Sequence, residues 1–92
     1  MESIMQKEKQ CYVCGTTYNL HDHHIVYGTA NRRNSERLGL KVWLCQEHHT
    51  GSTGVHFNRG LDLHLKELAQ KHFEAWNGAR NEFQRIFGKS YL

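Results

Sequence analysis

The chain has 92 residues, of which 38% are hydrophobic and 11% aromatic, and its formal net charge is +3. This length predicts one domain over residues 1–92, and the composition argues against a disordered chain. No apolar stretch is long enough to span a membrane, and the opening MESIMQKEKQ contains no apolar run that would predict a signal peptide. The slight basic excess permits a polyanionic partner without requiring one, and we expect a cytoplasmic protein.

The first ordered element predicted after a polar, frayed start at residues 1–10 is a cysteine knuckle. Cys11 and Cys14 are separated by two residues, and Cys45 and His48 repeat that spacing. Four such ligands form a closed tetrahedral zinc set, whereas three cysteines in a disulfide framework would leave one thiol unpaired. The spacing therefore predicts a structural Zn²⁺ on Cys11, Cys14, Cys45 and His48, with ordinary thiols as the alternative.

Two strands are predicted in the segment that connects the Cys11–Cys14 knuckle to the Cys45–His48 knuckle. Residues 16–27 are rich in β-branched and aromatic side chains, which is typical of a strand or hairpin arm. Residues 28–37 are predicted to form a polar, basic loop. Residues 39–45 are predicted to be the returning strand, with Val42 and Leu44 on one face.

The hydrophobic period changes to a helical one after a glycine-rich loop at residues 51–54. A helix is predicted from Leu61 to about Gly78, followed by a shorter helix that Gly88 ends. Polar residues, Gln70 among them, are predicted to lie away from the buried face of the first helix. That face is predicted to carry Leu61, Leu65, Leu68, His72, Phe73 and Trp76.

Histidines are concentrated around the two strands, since six of the eight lie between His21 and His56. A zinc ion on the knuckles leaves most of these side chains unused. Side chains from both strands could therefore bind a second metal ion. Partners of the zinc ligands or surface positions are the alternative interpretation, which we expect for His64 and His72 on the later helix. The unused residues are His21, Asp22, His23, His24, His49 and His56.

The segments CYVC (11–14), HDHHIV (21–26) and LCQEHH (44–49) together resemble the HNH, or ββα-metal, endonuclease family, with His48 standing for a fourth cysteine. The order and spacing also look like small HNH-like proteins of bacteriophages and prophages. The resemblance implies an α+β fold. It also implies that the protein acts inside the bacterial host cell. Its zinc-stabilised ββα-metal (His-Me finger) hairpin core would span about residues 11–57, with C-terminal helices at about 61–92.

The same resemblance implies a role for each matching histidine. His23 and His49 would be catalytic metal ligands, His56 the third ligand, and His24 the general base that takes a proton from the attacking water. The family places an asparagine before the second knuckle to position that base; none occurs there, and Asn31, or Asn34, is the candidate substitute. The catalytic metal would be Mg²⁺, Mn²⁺, Ni²⁺ or Zn²⁺.

The resemblance also predicts the partner, which is DNA. Arg32, Arg33, Arg37 and Lys41 would place positive charge beside the site and grip phosphates without reading sequence. A solvated loop is the alternative interpretation of this basic segment.

Two further functions remain open from the sequence. The chain could be a zinc module without catalytic activity that binds DNA or a phage or host protein. It could also be a nuclease that acts only with a recombination partner. The missing asparagine favours a module, whereas the surplus histidines favour an enzyme, because a purely structural zinc site needs only four ligands.

Overall fold

The computed structural model describes residues 2–92. Strand β1 (Leu20–His24) pairs antiparallel with strand β2 (Lys41–Cys45), in a register that sets Leu20 opposite Cys45 and His24 opposite Lys41. The elements in chain order are β1, α1 (Thr29–Leu38), β2, α2 (Gln46–His49), α3 (Arg59–Trp76) and α4 (Arg80–Phe87). The predicted α+β class is thereby confirmed.

The predicted loop at residues 28–37 is wrong, because this segment forms helix α1. Its few apolar residues give a weak periodic signal, although arginine and glutamate are good helix formers. Ser35 fixes the helix to the end of β1: its buried hydroxyl donates to the Val26 carbonyl at 2.7 Å and accepts from the Val26 N–H at 3.2 Å. Gly39 ends the helix in the left-handed region, with φ of 71°.

The segment at residues 2–10 is not frayed, as the sequence had suggested, but lies along β2. The Ile4 N–H donates to the Gly39 carbonyl at 2.9 Å, and the Trp43 N–H donates to Gln6 Oε1 at 2.8 Å. Met5 is buried in the core. Hydrogen bonds to β2 thus stabilise a segment whose composition alone predicts no structure.

The core combines residues of the sheet with residues of helices α3 and α4. β2 contributes Val42 and Leu44 as predicted, and α4 contributes Phe83, which packs against Phe73 of α3 with ring centroids 5.4 Å apart. Aromatic pairs of this kind add stability beyond the area they bury. The buried hydrophobic residues are Met5, Cys11, Ile25, Val26, Leu40, Val42, Leu44, Cys45, Val55, Leu65, Ala69, Phe73, Phe83 and Phe87.

The predicted buried face of α3 needs two corrections. Trp76 is 75% exposed because it lies at the last residue of the helix, beyond the packed face. Gln70, expected at the surface, is completely buried; its amide donates to Ser90 Oγ at 2.9 Å and accepts the Tyr91 N–H at 2.7 Å. Gln70 therefore holds the C-terminal segment against α3. Among the described residues, no helix is both long and apolar enough to cross a membrane.

Candidate metal centres

The cysteine knuckles form a compact four-ligand cluster. The Cys14 and Cys45 sulfurs are 3.8 Å apart, and His48 Nδ1 lies 3.2 Å from the Cys45 sulfur and 3.7 Å from the Cys11 sulfur. Bonds of about 2.0–2.3 Å to a tetrahedral zinc ion separate its ligands by roughly 3.3–3.8 Å. The structure therefore places Cys11, Cys14, Cys45 and His48 close enough together to hold one metal ion, with spacings compatible with zinc.

Local backbone geometry builds this cluster from two distant segments. The Gly15 N–H donates to the Cys11 carbonyl at 2.8 Å, and Gly15 takes a φ of 80°, so the first knuckle turns tightly. The second knuckle begins where β2 ends, and the short helix α2 then places His48 next to the sulfurs. The cluster thus connects the N-terminal segment to the end of the sheet.

The electrostatics at Cys11 suit a thiolate ligand. Burial by itself raises the pKa of this thiol. Hydrogen bonds from backbone N–H groups, of which that of Cys45 has the largest effect, outweigh the burial and lower the pKa to about 6. Since the thiolate is the form that binds metal, Cys11 is prepared for ligation near neutral pH.

A second cluster consists of imidazoles. The ring centroids of His23 and His49 are 5.2 Å apart, those of His23 and His56 are 5.7 Å apart, and His49 Nε2 lies 3.3 Å from His56 Nε2. One ring nitrogen of each residue lies within 4.8 Å of the others. His23 is buried, His49 is half-buried and His56 is exposed, so the cluster opens to solvent on one side.

His23 supplies the sharpest indication that this cluster needs a ligand. Its ring is only 3% exposed, and among the described residues Nε2 has no hydrogen-bond partner. Desolvation, followed by the nearby His49 and His56, lowers the pKa of His23 to about 3, so the ring is neutral. A buried, unpaired imidazole nitrogen costs stability, and a metal ion would satisfy its lone pair. The residues present therefore fit a divalent cation.

Two glycines explain how His56, seven residues after His49, returns to it. A Cβ on Gly51 or Gly54 would lie 2.6 or 2.7 Å from the Glu47 carbonyl oxygen, so only glycine permits this close turn. The Val55 N–H then donates to the His48 carbonyl at 2.9 Å. The glycine-rich loop at residues 51–54 is thus a packed turn that places His56 beside His49.

His24 has a different environment from its neighbour His23. Nε2 of His24 donates to Glu36 Oε1 at 2.9 Å, and the side chain is 9% exposed. The predicted substitute for the family asparagine was Asn31, yet the group that contacts His24 is Glu36. Glu36 was not predicted as a partner because its segment was predicted to be a loop. As part of helix α1, its carboxylate lies within reach of β1.

Asp22, His24 and Glu36 also lie close enough together to form a possible cation site. Lys41 already fills it: Nζ lies 3.0 Å from both Glu36 oxygens and 3.5 Å from Asp22 Oδ2. These carboxylates raise the pKa of Lys41 even though burial lowers it. These ion pairs neutralise the charge of Lys41 within the protein, and the prediction that Lys41 binds DNA stays a prediction.

The other three predicted phosphate-binding residues share one surface. Arg32, Arg33 and Arg37 are exposed on α1 and line a cleft of about 780 Å³ that also borders His24 and Glu36. Asn34 accepts a hydrogen bond from Arg37 at 3.3 Å. This arginine cleft presents three guanidinium groups beside the His24–Glu36 pair.

His64 and His72 lie on α3, outside both metal clusters, and His64 is exposed. His21, to which the sequence assigned no role, contacts the second cluster: its Nδ1 is 2.8 Å from His49 Nδ1. No family model matches this chain, and no curated protein or solved structure is significantly similar to it. Its function must therefore be argued from the geometry of the clusters.

Proposed function

We propose that the chain is a metal-dependent endonuclease of the HNH type that hydrolyses phosphodiester bonds in DNA. The observation that carries the proposal is the convergence of His23, His49 and His56 in a cluster open to solvent, next to a separate four-ligand cluster. Three protein ligands with open positions are the mark of a catalytic metal site, whereas four closed ligands mark a structural one. The antiparallel strands β1 and β2, joined by α1 and followed by α2, also agree with a ββα-metal core.

The two clusters would hold different ions. Thiolate-rich ligands favour Zn²⁺ at Cys11, Cys14, Cys45 and His48. Imidazoles at His23, His49 and His56 favour the later transition metals by affinity, although Mg²⁺ or Mn²⁺ could bind according to availability. A metal in the second cluster would supply positive charge to neutralise a scissile phosphate and its leaving oxygen.

His24 is the proposed general base. Because Nε2–H of a neutral His24 donates a hydrogen bond to Glu36, Nδ1 keeps its lone pair and can take a proton from water. The carboxylate also holds the ring in one orientation and stabilises the imidazolium that forms, as the acidic partner does in hydrolytic triads. Glu36 would thus replace the family asparagine as the positioning residue.

The arginine cleft is the proposed binding surface for the DNA backbone. Guanidinium groups form paired hydrogen bonds with phosphate oxygens, and three of them lie along one cleft beside the base. Such contacts give affinity without reading bases, so we propose weak sequence preference and a strong dependence on salt.

One observation favours the alternative, a zinc module that binds DNA or a protein without cutting. Alternation along β1 puts Asp22 and His24 on one face and His21 and His23 on the other, so the base and the metal cluster lie on opposite sides of the strand. For His24 and the imidazole cluster to act on one phosphate, the substrate would have to lie at the end of β1, where the two faces of the strand meet. A recombination partner that bends or holds the DNA could bring the phosphate to this position, and the protein would then need that partner for cleavage.

Plasmid nicking tests the proposal. Zinc-loaded protein is incubated with supercoiled DNA and Mg²⁺, Mn²⁺ or Ni²⁺. The same assay is run on His24→Ala, on Glu36→Gln and on the control His64→Ala, which changes an exposed residue of α3. Nicking by the wild type and the control, lost in His24→Ala and weakened in Glu36→Gln, supports the enzyme. Equal nicking by all four proteins contradicts the assigned base. Binding to DNA without nicking, on naked or recombinase-coated DNA, supports the module.

A further inference from the structure

The contact between His21 and His49 has an unusual geometry. The two Nδ1 atoms are 2.8 Å apart, and the rings meet edge to face with centroids 5.0 Å apart. At this distance one nitrogen must carry a proton and the other must offer a lone pair, because two bare or two protonated nitrogens would repel. The contact therefore connects the tautomers of the two rings.

The other side of the His49 ring decides which nitrogen is the donor. Its Nε2 faces the cluster, at 3.3 Å from His56 Nε2. If Nε2 is a metal ligand, it must be unprotonated, so a neutral His49 carries its proton on Nδ1. His49 Nδ1 then donates to His21 Nδ1, and His21 must carry its own proton on Nε2.

We propose that His21 is a positioning residue for the open metal cluster: it accepts a hydrogen bond from His49 and thereby fixes the ring that binds the metal. This inference rests on the metal site of the proposed function. Histidine ligands nearly always donate their second N–H to an oriented acceptor, commonly a carboxylate or carbonyl, and losing that acceptor weakens metal binding. In this chain an imidazole takes the place of the carboxylate.

The strand explains why an imidazole performs this task although a carboxylate is adjacent in sequence. Asp22 follows His21 directly, but alternation along β1 places it on the opposite face, where it contacts Lys41. A neutral acceptor orients His49 without adding negative charge beside the ion. The bound ion therefore keeps more of its charge for an anionic substrate than a carboxylate acceptor would leave it.

Metal titration tests this role without DNA or catalysis. Ni²⁺ is titrated calorimetrically into zinc-loaded wild type, His21→Leu, His21→Asn and the control His64→Leu, with far-UV circular dichroism to establish folding. Asn is chosen because its Oδ1 can occupy the place of His Nδ1 as an acceptor. We expect His21→Leu to lose about 10–100-fold in affinity, and His21→Asn and His64→Leu to stay near the wild type.

The outcomes separate this inference from the proposed function. Wild-type affinity in His21→Leu, or equal losses in the Leu and Asn variants, would overturn the positioning role and leave the metal site intact. A wild type that binds no Ni²⁺ beyond its zinc would overturn both. As a spectroscopic check, ¹⁵N chemical shifts of the Ni-free, Zn²⁺-titrated protein should show the proton of His49 on Nδ1 and that of His21 on Nε2; a proton on His21 Nδ1 would contradict the proposal.

Discussion

Replacing His23 with leucine should separate stability from metal binding in one substitution. The His23 ring is 3% exposed and its Nε2 has no partner among the described residues. Leucine has a similar volume and no polar atom to desolvate. We therefore expect His23→Leu to be more stable than the wild type when the imidazole cluster holds no ion, the reverse of the usual effect of a core substitution.

The size of the gain follows from the cost of the unpaired nitrogen. A buried polar group without a partner costs about 1–3 kcal/mol, which leucine would recover apart from any packing mismatch. In a domain of 60–100 residues, each kcal/mol shifts the melting temperature by roughly 4–8 °C. A saturating metal should reverse the order, because a ligand at 1,000 times its Kd stabilises the wild type by about 4.1 kcal/mol and leaves the variant unchanged.

Thermal unfolding of both proteins, each with its zinc retained, measures this directly. After dialysis to remove weakly held ions, His23→Leu should melt above the wild type; with added Ni²⁺ the wild type should melt higher than before, and the variant should not respond. His64→Leu serves as a control that should respond as the wild type does. A variant that is less stable without metal, or that responds fully to Ni²⁺, would refute the assignment of His23 as a buried ligand.

Three other predictions follow from particular contacts. Gly54→Ala places a Cβ 2.7 Å from the Glu47 carbonyl oxygen, so it should displace His56 and weaken Ni²⁺ binding in calorimetry while zinc content stays at one per chain. Phe83→Ala removes a fully buried ring between Phe73 and Phe87 and should cost about 3–5 kcal/mol in urea unfolding; a loss below about 1 kcal/mol would contradict this packing. Folding lowers the pKa of His23 from its ordinary value of 6.5 to about 3. Between these two pH values the unfolded chain therefore binds a proton on His23 that the folded chain does not. Metal-free stability should therefore fall as the pH decreases from about 6.5 toward 3, and this slope should be shallower in His23→Leu; equal slopes would count against the burial of a neutral ring.

The sequence predicted the parts of the fold that have strong periodicity. Alternation at Val42 and Leu44 and the helical spacing of Leu65 and Phe73 correspond to buried faces in the structure. It failed where tertiary contacts override composition. The N-terminal segment is ordered by hydrogen bonds to β2, and α1 is held by the buried hydroxyl of Ser35 together with the contacts of Glu36 to His24 and Lys41. None of these contacts leaves a periodic signal in the sequence.

The candidate site shows the same division. Spacing was enough to group the four zinc-type ligands, because a knuckle places its ligands locally. The closeness of His56 to His49 depends on Gly51 and Gly54 in a packed turn, which the spacing of the two histidines does not by itself indicate. Glu36 and His21 were missed as partners because their contacts depend on a helix and on a strand face that composition did not reveal.

The most direct test of the central claim is the position of a metal ion beside β1. Crystals of zinc-loaded protein soaked in Ni²⁺ and measured at the nickel absorption edge would locate it by anomalous scattering. We predict a nickel peak about 2.0–2.2 Å from nitrogens of His23, His49 and His56, apart from the zinc on the cysteine knuckles. Zinc on the knuckles with no nickel peak among these three rings would contradict a catalytic metal centre.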